Sequence, residues 1–120
     1  MSESAEIRAA AAANAAFYEA FAAGDAAAME ALWSRTASVL CIHPGAPPLH
    51  GRDAVMESWR SILEAPPAIR AADARVAVIR GVAFVTCLER IDEAALAATN
   101  VFVWEDGAWR IVHHLSLIHI

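Results

Sequence analysis

Between Ile69 and Leu115 four runs read as strands: Ile69–Ile79, Val82–Ile91, Leu96–Trp104 and Ala108–Leu115. They are parted only by Arg80-Gly81, Asp92-Glu93 and Glu105-Asp106-Gly107. Breaks this short cannot carry a crossover, so the runs must meander antiparallel. Everything ahead of them then has to supply the cover for one face of that sheet.

The cover is helical. From Glu3 to Ala23 the chain is rich in alanine, the best helix former. Ile7, Ala11, Asn14, Phe17, Tyr18 and Phe21 recur at three- and four-residue steps and so share one face. Gly24 supplies a left-handed stop and Asp25 an N-cap for a second helix, whose stripe is Met29, Leu32 and Trp33 and which Arg35-Thr36 should end. Residues 37–43 read as a first strand, and Pro44-Gly45-Ala46-Pro47-Pro48 as a loop. Gly51 opens a third helix with Val55, Trp59 and Ile62 on its apolar face, ended by Ala65-Pro66-Pro67. No repeat or linker interrupts this order, and 120 residues suit one domain with a real core.

Alternation sorts the strand residues by face. Val82, Phe84, Thr86 and Leu88 oppose Ala83, Val85, Cys87 and Glu89, while Leu96, Ala98, Asn100 and Phe102 oppose Ala97, Thr99, Val101 and Val103. Neither face is polar. Hydrophobic residues make up 58% of the chain and charged residues 19%, against roughly 45–50% and 25% in an average domain. Helices can cover one face. The expected cover for the other is a second copy of the chain, giving a homodimer through the sheet; the alternative is a greasy monomeric sheet.

The formal charge of −5 argues against nucleic acid as a partner. No apolar run approaches the roughly 20 residues that cross a bilayer, and the acidic start Met1-Ser2-Glu3 is no secretory signal, so the expectation is a cytoplasmic protein with no membrane partner. Cys41 and Cys87 then read as reduced core residues.

His43, at the end of the first strand, is the leading proton carrier, since histidine titrates near neutrality; a histidine bonded to loop backbone is the bland alternative. Asn100 is an amide in an apolar run and needs a partner, either a ligand or another side chain. Asn14 and Tyr18 pose the same question. His113 and His114 are adjacent in a strand and cannot chelate one ion without a bulge. Cys41 and His43 are too few ligands for zinc, so neither metal nor cofactor is expected. His43 with His114 across a cavity stays open. Trp33 and Trp59 could wall a pocket with flat apolar rings. Nucleophile and phosphate-loop motifs are absent.

Taken in order, Ala16-Phe17-Tyr18-Glu19-Ala20-Phe21-Ala22-Ala23-Gly24-Asp25, His43-Pro44-Gly45, Gly51-Arg52-Asp53-Ala54-Val55…Trp59 and Asn100-Val101-Phe102…Asp106-Gly107-Ala108-Trp109-Arg110-Ile111-Val112-His113-His114 resemble the SnoaL-like branch of the nuclear transport factor 2-like, ketosteroid isomerase-like superfamily. The resemblance implies an α+β fold: a cone-shaped, curved antiparallel sheet (a cystatin-like roll) with N-terminal helices and a pocket at its open end. It also implies a dimer. Against the isomerase, His43-Pro44 stands where an Asp-Pro carries the general base. Phe17 replaces the oxyanion tyrosine, and Asn100 stands at the second oxyanion donor. Against the calcium/calmodulin-dependent kinase association domain, the pocket arginines fall near Thr86 and Asn100 and are missing. The ending Leu115-Ser116-Leu117-Ile118-His119-Ile120 departs from the family and resembles translated sequencing adapter. The domain is therefore expected to be residues 1–114, with 115–120 an atypical, foreign tail.

These expectations combine into a pocket for a small apolar molecule, with His43 and Asn100 as catalytic residues for proton transfer of isomerase, cyclase or hydrolase type. Tyr18, Trp33, Trp59, Phe84, Thr86, Phe102 and His114 would bind the ligand. The rival is a non-catalytic ligand-binding or homo-oligomerising association module.

Overall fold

Ser2 opens the first helix: its Oγ accepts from the Ala5 amide at 3.1 Å. In the computed structural model, which describes residues 1–118, α1 (Glu3–Ala23) ends where Gly24 turns left-handed at φ 66°. A Cβ on Gly24 would sit 2.8 Å from the Leu63 carbonyl, so the glycine also lets α1 meet the end of the third helix. Asp25 caps α2 (Ala26–Leu32) by accepting from the Ala28 amide at 3.0 Å.

α2 stops before the expected Arg35-Thr36. Trp33 is extended and bridges Ile111, and the Ser34 amide donates to the Ile111 carbonyl at 3.0 Å. The sheet captures the chain there. Arg52 seals the helix end, its guanidinium donating to the carbonyls of Glu30, Trp33 and Ser34 at 2.8, 2.9 and 3.0 Å. Those carbonyls have no partner further along the helix.

The strands are β1 (Leu40–Ile42), β2 (Leu49–His50), β3 (Ile69–Ile79), β4 (Val82–Ile91), β5 (Ala94–Glu105) and β6 (Ala108–Ile118), with α3 (Arg52–Leu63) between β2 and β3. The sheet order is β2-β1-β6-β5-β4-β3. The four long strands form the expected antiparallel meander. β1 is shorter than residues 37–43 and runs parallel to β6, so the sheet is mixed. β2 was not foreseen: two residues after Pro47-Pro48 carry no periodic signal, yet they pair back onto β1. β6 continues through Ile118, past the domain end expected at residue 114; His119 and Ile120 lie outside the described residues.

Register decides the faces. Asn100 pairs with Val85 and Thr86 with Thr99, so Asn100 shares a face with Val85, Cys87 and Glu89. The helices bury that face. Phe84 and Thr86 lie on the outer face, with Phe84 40% exposed. The expected pocket had joined them to Asn100 and Phe102, mixing two faces of one sheet; Phe84 and Thr86 line no part of the interior.

A bulge in β6 completes the interior. Val101 pairs with His113 but Phe102 with Ile111, which leaves Val112 unmatched. The extra residue shifts the alternation. Trp109 and Ile111 point inward, and after the bulge His114 does so rather than His113. Phe17, Trp33, Trp59, Phe102, Ile111 and His114 are each no more than 1% exposed and fill the space between sheet and helices.

Candidate functional site

The interior is apolar except for a connected group of polar side chains. Asn14 and Tyr18 stand four apart on α1 and so share its inner face. Asn100 faces them from β5, donating through Nδ2 to Asn14 Oδ1 at 2.9 Å and to the Tyr18 hydroxyl at 3.1 Å. The tyrosine donates on to Glu89 Oε2 at 2.7 Å. With both Nδ2 protons so placed, Asn100 Oδ1 is left to accept from His114 Nδ1 at 2.5 Å. This fixes the imidazole as the Nδ1–H tautomer, with a bare Nε2 that lies 3.7 Å from Glu89 Oε2. Ser116 Oγ closes on Glu89 Oε1 at 2.5 Å.

Asn14, Glu89, Asn100 and His114 are all buried. Burial holds the Glu89 carboxyl above its ordinary range, against the pull of its hydrogen bonds from Ser116 and Tyr18. Burial, with the neighbouring imidazoles of His43 and His113, pushes His114 down to about 3. Tyr18 is raised by burial and by the Glu89 carboxyl, and remains a hydroxyl. An ion pair between Glu89 and His114 would require desolvating two charges at several kcal/mol each. One contact at 3.7 Å does not offset that, so burial favours the uncharged form of each group.

His43 sits just past β1, half-buried, its ring centroid 4.9 Å from that of Trp59 and 6.3 Å from that of His114. Its Nε2 lies 3.0 Å from Ser58 Oγ and 3.5 Å from Cys41 Sγ. Burial lowers its pKa and so favours the neutral ring. Cys41 is pushed up to about 12, chiefly by burial, and stays a thiol. Cys41 and Cys87 are both free and buried. Trp59 Nε1 is buried beside the two histidines with no hydrogen-bond partner, and Trp33 Nε1 and Trp109 Nε1 are likewise unpartnered.

The structure therefore gathers His43, Trp59, His114, Asn100 and Tyr18 around one interior, with Trp33 and Phe102 in the same core. Asn100 Oδ1 is bonded to His114, whose ring centroid lies 6.3 Å from that of His43. Asn100 is engaged on both sides of its amide. Glu89 is the residue sequence reasoning passed over. Its signal was present: it is the one charge in the inward series Ala83, Val85, Cys87, Glu89. Among the described residues no group of three or more His, Cys, Asp or Glu side chains could hold a metal ion, and no helix is long and apolar enough to cross a membrane.

A mixed curved sheet wrapped by three helices is the architecture of the NTF2-like class. The profile of the SnoaL-like domain matches residues 10–120, and the chain belongs to that family. Among solved structures it is similar to a protein from Streptomyces avermitilis provisionally named a dehydratase of the NTF2-like family, with 28% identity, 99% of each chain covered and a TM-score of 0.91. It is also similar to a Thiobacillus denitrificans protein provisionally named a calcium/calmodulin-dependent protein kinase type II association domain, with 35% identity, 92% and 94% coverage and a TM-score of 0.75. Among curated proteins it is 30% identical over 95 residues to the F-box protein SKIP8 of Arabidopsis thaliana, covering 76% of this chain but 41% of that protein. The chain thus spans less than half of that relative. Family and fold support a small-molecule-binding or catalytic domain.

Proposed function

We propose that this domain works as a homodimer that takes a small apolar molecule near His43 and moves a proton on it, in a reaction of the dehydration or isomerisation type. The observation that carries this reading is the pairing of Glu89 with His114. A carboxyl that burial shifts toward its protonated form and an imidazole that burial shifts toward its neutral form stand 3.7 Å apart. Opposite shifts of this kind favour a carboxyl that can donate a proton beside an imidazole with a lone pair to accept one. Dehydration and isomerisation need both: a base to take a proton from carbon and an acid to protonate oxygen. His43, the half-buried member, is the base nearest to solvent. Trp59 Nε1, a buried donor with no partner, suits a ligand oxygen. Tyr18 and Asn100 hold the acid and His114 in place, while Trp59, Trp33 and Phe102 supply apolar walls. The provisional name of the Streptomyces protein agrees in reaction type.

Dimerisation rests on the outer face. Leu40, Ile79, Phe84, Val101, Val103 and Leu117 cover it, and four of these six are exposed large hydrophobics. A stable pair needs about 800 Å² per partner, roughly one eighth of the 6613 Å² of surface on this chain. A second copy laid sheet to sheet supplies that cover.

Proton transfer can be sought without knowing the substrate. The purified protein is incubated in deuterium oxide with small apolar ketones, and uptake of deuterium at the carbon beside the carbonyl is followed by mass spectrometry. We expect uptake above the buffer rate, slowed at least about tenfold in His43→Ala and in Glu89→Gln, the loss typical for removing an acid or base. Equal rates in the three proteins would remove the reading. The second reading, an association module, is favoured by an interior already filled by Phe17, Trp33, Trp59 and Phe102. It predicts a dimer with no uptake at all.

A further inference from the structure

Ser58 sits on α3, and its hydroxyl has one proton. That proton goes to the Val55 carbonyl, three residues back, at 2.7 Å. A serine bonded to its own helix in this way has only lone pairs left to offer. The same Oγ lies 3.0 Å from His43 Nε2, so at this contact the serine accepts and the ring donates. Cys41 Sγ, held as a thiol, lies 3.5 Å from the same nitrogen and 4.0 Å from Nδ1, so its closer contact is on the Nε2 side.

We infer that Ser58 is a positioning residue that holds His43 as the Nε2–H tautomer, leaving Nδ1 as its basic atom. This rests on the reading of His43 as a proton carrier, and it names the atom involved. When a C–H bond of the substrate breaks, the proton joins Nδ1, the electron pair stays on the substrate as an enolate, and Nε2–H remains on Ser58. His114 is held the other way round, with Nδ1–H on Asn100 Oδ1 and Nε2 bare. Two histidines 6.3 Å apart are thus fixed in opposite tautomers by different elements, α3 for one and β5 for the other. A neutral imidazole that can exchange tautomers divides its basicity between two nitrogens. Fixed tautomers direct it.

The test is a long-range proton–nitrogen correlation spectrum of protein labelled with ¹⁵N-histidine. It is recorded near pH 8, above the ordinary histidine pKa of about 6.5, and His43→Ala assigns the signals. The wild type should show His43 as Nε2–H, favoured by about ten to one or more, the ratio expected when the alternative leaves a buried donor or acceptor unpaired. Ser58→Ala should erase that preference and Ser58→Thr should restore it. A wild-type His43 that is mainly Nδ1–H, or evenly mixed, overturns the inference, as does an unchanged spectrum in a folded Ser58→Ala. The wild-type spectrum alone decides the case if Ser58→Ala does not fold. Because the readout is a tautomer, failure of deuterium uptake removes the proposed function and leaves this result standing.

Discussion

His114 Nε2 faces Glu89 Oε2 across 3.7 Å of the buried interior, and burial shifts both groups toward their uncharged forms. His114 is held by Asn100 and Glu89 by Tyr18, so the separation is set by the framework of α1, β4, β5 and the β6 bulge.

The pair gives stability two opposed pH dependences. The folded His114 pKa of about 3 lies below its unfolded value, so its contribution is complete above about pH 6.5 and is lost as the pH falls toward 3. The folded Glu89 pKa is raised, so its contribution is complete below about pH 4.3 and is lost as the pH rises through the folded value. Urea unfolding across pH should therefore show Glu89→Gln escaping the loss on the rising side. His114→Gln should escape a loss on the order of a few kcal/mol on the falling side.

Asn100 is the joint of the network. Asn100→Leu is nearly equal in size but strands Asn14 Oδ1 and His114 Nδ1 in the core. Two buried unpaired groups should lower the unfolding free energy by about 2–5 kcal/mol, measured by denaturant titration. A loss under about 1 kcal/mol would mean that the interior admits water.

Arg52 bonds three carbonyls at the end of α2, which a lysine cannot match with one compact ammonium. Arg52→Lys and Arg52→Ala should both lose about 1–3 kcal/mol in thermal unfolding. A lysine variant as stable as the wild type would show that charge alone suffices.

On the outer face, Phe84→Arg places a charge in the apolar patch without touching the interior. Sedimentation should report a dimer for the wild type and a monomer for the variant, with unchanged helix and sheet signals in circular dichroism. A wild-type monomer contradicts the proposed pairing.

Much of the fold was legible because its signals are local. Gly24 and Asp25 mark the break between α1 and α2, and the two-residue turns at Arg80-Gly81 and Asp92-Glu93 dictate the meander. Non-local events were not legible. The capture of Trp33 by Ile111, the pairing of β2 with β1 and the parallel entry of β1 beside β6 leave no periodicity to read. The site suffered in the same way. Phe84 and Thr86 were joined to Asn100 because alternation gives two faces per strand but does not say which faces coincide; register does. His114 reaches the interior only through the unmatched Val112. Glu89 was visible as a charge among apolar neighbours, but its partners Tyr18 and His114 are distant in sequence.

Magnetic resonance reads the protons of Glu89 and His114 directly. A pH titration of protein labelled at the histidine nitrogens and glutamate carboxyl carbons, with Glu89→Gln and His114→Gln to assign signals, reports both charges at once. The account predicts that His114 stays neutral down to about pH 4, with its transition near 3, and that Glu89 ionises above the ordinary glutamate range. A protonated His114 beside an ionised Glu89 at neutral pH, a buried ion pair, would contradict it.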